Sequence, residues 1–163
     1  MTTPHDTPYC RIKNPENYVR GRDYQPIDVI EAFGLCHHLV CAVKYIARAG
    51  HKDNYLEDLK KADWYVCREL QRQACGKKPC HEALTKEPIY DVIKVCEDWN
   101  LPGNLSMVLF LILKFSYEPR AFDWLLKRYA YVGNDIGTTL IVENLLLKAH
   151  EYIQEEIEVS QRD

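Results

Sequence analysis

Apolar residues recur at helical spacing over most of the chain, and no alternating stretch long enough for a strand interrupts them. Ile27, Ile30, Phe33 and Leu35 mark a short first helix that ends at Gly34. A second helix, Cys36 to Ala49, has Leu39, Val43 and Ile46 as its inner stripe and Gly50 as its stop. Asn54 followed by Glu57 is a capping box. It opens a third helix whose inner positions are Leu56, Leu59, Ala62, Val66 and Leu70. The run Met107 to Leu113 reads as a buried core helix. A last helix, Thr138 to Val159, carries Leu140, Val142, Leu145, Ala149, Tyr152 and Ile153, after a turn framed by Gly133 and Gly137.

Sliding the sequence by 66 positions lays Ile27–Leu70 on Ile93–Ile136 without a gap. Identical pairs include Ile27/Ile93, Leu39/Leu105, Ile46/Ile112, Leu59/Leu125 and Tyr65/Tyr131. The expected fold is therefore all-α: a tandem duplication of a three-helix unit, the copies related by a pseudo-twofold axis, plus a C-terminal helix. Each unit alone is too small to bury its faces well. The expected organisation is an arm over 1–24, a first repeat over 25–74, a linker over 75–86, a degenerate second repeat over 87–136, and a helix with its tail over 137–163. The copies differ at polar positions, where Lys44 becomes Phe110, Lys52 becomes Glu118 and Asp58 becomes Trp124. One copy that keeps a site and one that keeps only the fold would show this pattern.

Composition narrows the function. A net charge of -3 gives no general attraction to DNA, RNA or an anionic membrane, so any phosphate site must be local. The N-terminal residues MTTPHDTPYC lack the basic and apolar regions of a secretory signal. No apolar run has the length of a membrane span. The 7 cysteines are odd in number and mostly sit among apolar neighbours, which predicts free thiols in a reducing compartment. Cys36, His37, His38 and Cys41 lie close in sequence, but no helical register aims all four at one ion. Cys75, Cys80 and His81 flank a linker. No zinc is expected at either cluster.

The candidate chemistry lies between Lys44 and Val66. Lys44 and Arg48 share one helix face; Glu57, Lys61 and Tyr65 share another. Two cations facing a turn rich in acids and amides suit a phosphate with a divalent metal. Two solvated helices with surface ion pairs would have the same spacing.

PIDVIEAFGL followed by KYIARAGHKDNYLEDLKKADWYV resembles a phage-borne family, the SaV-like domain of unknown function, to which a podovirus nucleotide kinase lacking a P-loop is similar. The resemblance covers about residues 25–70, and 90–136 only as the degenerate copy. It implies nucleotide handling, a phage origin, and hence the cytoplasm of an infected or lysogenic bacterium. It places nucleotide and phosphate contacts on Lys44, Tyr45, Arg48, Lys52, Lys61 and Tyr65, and Mg²⁺ on Glu31, Glu57 and Asp58. The family's Gly-Asn before its KYI block is Val40 and Cys41 here, which alters the implied site.

Several functions fit these residues. The first is nucleotide binding with phosphoryl transfer, as in a nucleotide kinase, although the chain has no glycine-rich phosphate loop. The second is a non-catalytic phage protein that sequesters a nucleotide immune signal. A protein-interaction module and an all-helical nucleoside-triphosphate pyrophosphohydrolase are further alternatives. The expected partner is a nucleotide or nucleotide-derived small molecule, and a homo-oligomer is compatible with the sequence.

Overall fold

A computed structural model of the chain describes residues 22–49, 54–75, 90–129 and 136–162, with only the backbone described for 117–129 and 136–144. Six helices, α1 (Pro26–Ala32), α2 (His37–Arg48), α3 (Tyr55–Ala74), α4 (Val92–Asp98), α5 (Gly103–Tyr129) and α6 (Ile136–Ser160), make up the described fold. The protein is all-α, with no strand among the described residues. Most of the expected arm, the linker beyond Cys75, and Gly50 and Lys52 lie outside the described residues.

The four long helices form a ring: α2 packs on α3, α3 on α6, α6 on α5, and α5 again touches α2. The short α1 and α4 lie against α2 and α5 respectively. Leu39, Val43 and Ile46 are buried as their stripe predicts, joined by Ala42 and Ala47. Leu59, Ala62 and Val66 bring the inner face of α3 into the same core. Leu105, Leu109, Ile112 and Phe115 of α5 and Leu146, Ala149 and Ile153 of α6 complete it. Ile27 departs from its expected inward position and is 52% exposed, because α1 is only two turns long and turns Val29 and Ile30 inward instead. Met107 and Phe110 are likewise exposed within a run otherwise buried.

The offset of 66 positions recurs in the backbone. It carries α1 onto α4 and the first residue of α2 onto the first of α5. Gly34 has φ 56° and Asn100 φ 50°, the left-handed conformation tolerated by these two residue types. Leu35 N–H donates to Ile30 O at 3.3 Å, and Leu101 N–H to Cys96 O at 3.1 Å. Gly34 N–H donates to Glu31 O, and Asn100 N–H to Glu97 O. Both short helices thus end in the same Schellman turn.

The third helix departs from that offset. The first unit breaks between α2 and α3, but α5 runs unbroken from Gly103 to Tyr129. Ser116 stands where the offset puts Gly50, and Arg120 where it puts Asn54, so the glycine stop and the asparagine cap are absent, and the helix runs on through Pro119. The contacts of α3 recur on α6 instead, displaced by 87 positions. His38 Nδ1 lies 2.9 Å from a carboxylate oxygen of Glu69, and Asn104 Nδ2 donates to Glu156 at 3.3 Å. His38 and Asn104 are 66 apart, while Glu69 and Glu156 are 87 apart. Leu59, Ala62 and Val66 correspond in the same way to Leu146, Ala149 and Ile153, all fully buried.

Candidate functional site

Residues singled out in the sequence converge where the end of α2 meets the start of α3. Asn54 caps α3, its side chain accepting from Glu57 N–H at 3.2 Å. The return bond of the capping box runs from Asn54 Nδ2 to the Glu57 carboxylate, rather than to the Asn54 backbone. This cap fixes the first turn of α3 and so aims Asp58 at α2. Arg48 Nε donates to Asp58 Oδ2 at 2.8 Å, and its Nη2 bonds the other oxygen. Asp58 is buried and Arg48 half-buried, and this bidentate pair ties the two helix ends together.

An aromatic row lies beside the pair. The rings of Tyr45 and Tyr65 stack at 5.9 Å, inclined by 18°. The Arg48 guanidinium lies 4.9 Å from the Tyr45 ring centre, and Lys61 Nζ lies 5.8 Å from it. Trp64 meets Tyr65 edge-on at 4.9 Å and is itself 59% exposed. Lys61 is also bonded to Glu57 one turn back, which holds its ammonium above the ordinary value. The Cys41 thiol, through charge and then a hydrogen bond, pushes the Tyr65 phenol up. Lys44 is exposed on α2.

The predicted residues are therefore only partly assembled. Tyr45, Arg48, Asp58, Lys61 and Tyr65 form one contact network with Glu57 at its edge. Glu31 is exposed on α1, and Lys52 lies outside the described residues. Glu31, Glu57 and Asp58 do not fit a preformed Mg²⁺ site. Both Asp58 oxygens take Arg48 donors, and Glu57 takes Lys61 and Asn54. Among the described residues, one set of three metal-ligating side chains has its ligand atoms within 4.8 Å of one another, and it is Asp63, Cys67 and His150.

Reading by sequence missed three things here. Trp64 went unnoticed because it sits on no apolar stripe, although an exposed tryptophan between two predicted site residues was itself a signal. Glu69 is fully buried, which its place among polar neighbours does not suggest. Burial alone would raise its carboxyl; bonds from Arg72, His38 and Gln73 outweigh burial and hold it at about 2. The Asp63–Cys67–His150 set joins two helices far apart in sequence. At the Cys36–Cys41 cluster, His37 Nε2 lies 4.0 Å from Cys41 Sγ while His38 turns to Glu69, so the four side chains do not converge.

A protein family described only as of unknown function, DUF3310, matches residues 12–67. The matched stretch holds α1, α2 and the first part of α3, and with them the whole Tyr45–Arg48–Asp58–Tyr65 network. Comparisons with curated proteins and with solved structures each give no match. No helix among the described residues is long and apolar enough to cross a membrane.

Proposed function

We propose that the protein binds a nucleotide or nucleotide-derived small molecule on the face built by Tyr45, Arg48, Lys61, Trp64 and Tyr65. The observation that carries this reading is an accessible aromatic row with cations beside it: the exposed Trp64 edge-on to Tyr65, Tyr65 stacked on Tyr45, and Arg48 and Lys61 over Tyr45. A base stacks on such a row whatever its identity, gaining about 1–3 kcal/mol per stacked base. Lys44 and Lys61 are the cations able to swing toward a phosphate, since their stems are flexible. Arg48 acts differently: its fork is spent on Asp58, so it holds the α2–α3 junction and the Tyr45 ring in place.

Binding without turnover is the form of this reading that the geometry favours. Phosphoryl transfer calls for acids able to hold a metal beside the phosphates. Asp58 has both oxygens engaged by Arg48, and Glu31 stands exposed on α1. A phage protein that sequesters a nucleotide signal needs only the aromatic row and the lysines. Native mass spectrometry of protein taken directly from cells tests the proposal. An intact nucleotide retained in stoichiometric amount supports sequestration. Failure of every tested nucleotide to bind in calorimetry, together with no retained ligand, would refute nucleotide binding.

A further inference from the structure

On the side of α3 that faces α6, away from the Tyr45–Tyr65 stack, lies a second group of chemically active side chains. Asp63 and Cys67 are four apart on α3; His150 and Gln154 are four apart on α6. Each pair shares one face of its helix. The two faces meet: His150 Nδ1 lies 2.5 Å from Asp63 Oδ1 and 3.4 Å from Cys67 Sγ. Gln154 Nε2 donates to Asp63 Oδ2 at 2.7 Å. Cys67 Sγ lies 4.0 Å from that same Asp63 oxygen. Tyr65 and Cys67, two residues apart, sit about 160° apart around the helix, so the Cys67 thiol points away from the Tyr45–Tyr65 stack.

We propose that Asp63, Cys67 and His150 form a binding site for a borderline-soft divalent metal ion of the zinc type. A thiolate, an imidazole and a carboxylate are the donors such an ion takes, and three protein ligands leave a fourth position for water or the Gln154 amide oxygen. In a tetrahedral site the donor atoms stand about 3.3–3.6 Å apart. The sulfur–imidazole distance is already of that size, and the imidazole–carboxylate pair needs to open by under about 1 Å. All three side chains are half-buried, which leaves an entry path.

Binding requires the Cys67 thiolate, which a divalent ion stabilises directly. On binding, the Sγ–H bond breaks, the sulfur–metal bond forms, and the proton leaves to solvent. The ion would cross-link α3 and α6, which are otherwise joined across this face by hydrogen bonds of the four side chains. This site revises the sequence expectation of no zinc, which considered only cysteines near one another along the chain.

The test uses the reduced full-length chain, titrated with Co²⁺ alone and then with Zn²⁺ against a chromophoric chelator. The expected result is one Co²⁺ per chain with a thiolate-to-metal charge-transfer band, displaced by Zn²⁺. Cys67→Ser, close to isosteric, should abolish the band and weaken Zn²⁺ binding at least tenfold. His150→Gln should weaken it comparably, and Cys41→Ser should leave both readouts unchanged. Zn²⁺ should raise the melting temperature of the parent protein but not of Cys67→Ser, and circular dichroism confirms that each variant is folded. A band that survives in folded Cys67→Ser, or a parent protein that gives no band, would overturn the site and leave the group as an interhelical hydrogen-bond cluster.

Discussion

Arg48 grips Asp58 through two parallel hydrogen bonds, and so the last turn of α2 is fastened to the first turn of α3. Removing Arg48 leaves the buried Asp58 carboxylate without its two donors. Because Arg48 itself is about one-fifth exposed, Arg48→Ala should cost about 1–3 kcal/mol of stability, less than breaking a fully buried pair. Replacing both residues together by apolar ones of similar volume should cost less than Arg48→Ala alone. Urea denaturation of the single and double variants measures the difference. A loss under about 1 kcal/mol for Arg48→Ala would show that the pair is open to solvent.

Trp64 separates binding from folding, because it is exposed and its removal leaves no cavity. Trp64→Ala should change stability by less than about 0.5 kcal/mol. In calorimetry with the nucleotide that co-purifies, it should weaken binding by about 1–3 kcal/mol. Lys114, at the matching place to Arg48 in the second unit, should be far less sensitive: Lys114→Ala is expected to leave the affinity within twofold.

Acid should unfold the protein partly through Glu69. Its carboxyl is held at about 2 in the folded state, below its ordinary value of 4.5. The unfolded chain therefore binds this proton more readily than the folded one. The associated stability is fully present above about pH 4.5 and is lost as pH falls toward 2, up to about 3 kcal/mol. Glu69→Gln should flatten that part of the stability–pH curve, read by thermal melts at fixed ionic strength. An unchanged slope would mean that other carboxylates govern acid unfolding.

The Asn54 cap offers the mildest test. Asn54→Ala removes the acceptor of the Glu57 N–H and should cost about 1 kcal/mol. Asn54→Asp should keep most of it. The comparison is made by melting temperature at neutral pH.

How far the sequence revealed these features depended on their range along the chain. The stripes Leu39–Val43–Ile46 and Leu59–Ala62–Val66 were legible because helical burial repeats with a local period. The cap at Asn54 and the stop at Gly34 were legible because they are set by neighbours. The course of α5 was not: matching apolar positions on either side of residues 116–120 suggested a break there, although the stop and cap of the first unit are missing. The burial of Glu69 and the meeting of Asp63 with His150 depend on helix pairing across long separations, which no periodicity encodes. For the candidate site, spacing put Lys61 and Tyr65 on one helix face with Glu57, and the resemblance added Tyr45; the fold sets these beside Arg48. Spacing gave no hint that Arg48 would be committed to Asp58, nor that Glu31 would lie out on α1.

The polar facing between α3 and α6 bears on how the chain emerges from the ribosome. α3 is complete many residues before α6 has been synthesised. Its α6-side face must wait in water during that interval. Asp63 and Cys67 on that face keep it from being an unbroken apolar strip, so the nascent first half carries less surface that would stick to other chains. When α6 arrives, His150 and Gln154 give those side chains partners, and docking replaces hydration instead of rescuing an exposed hydrophobic seam.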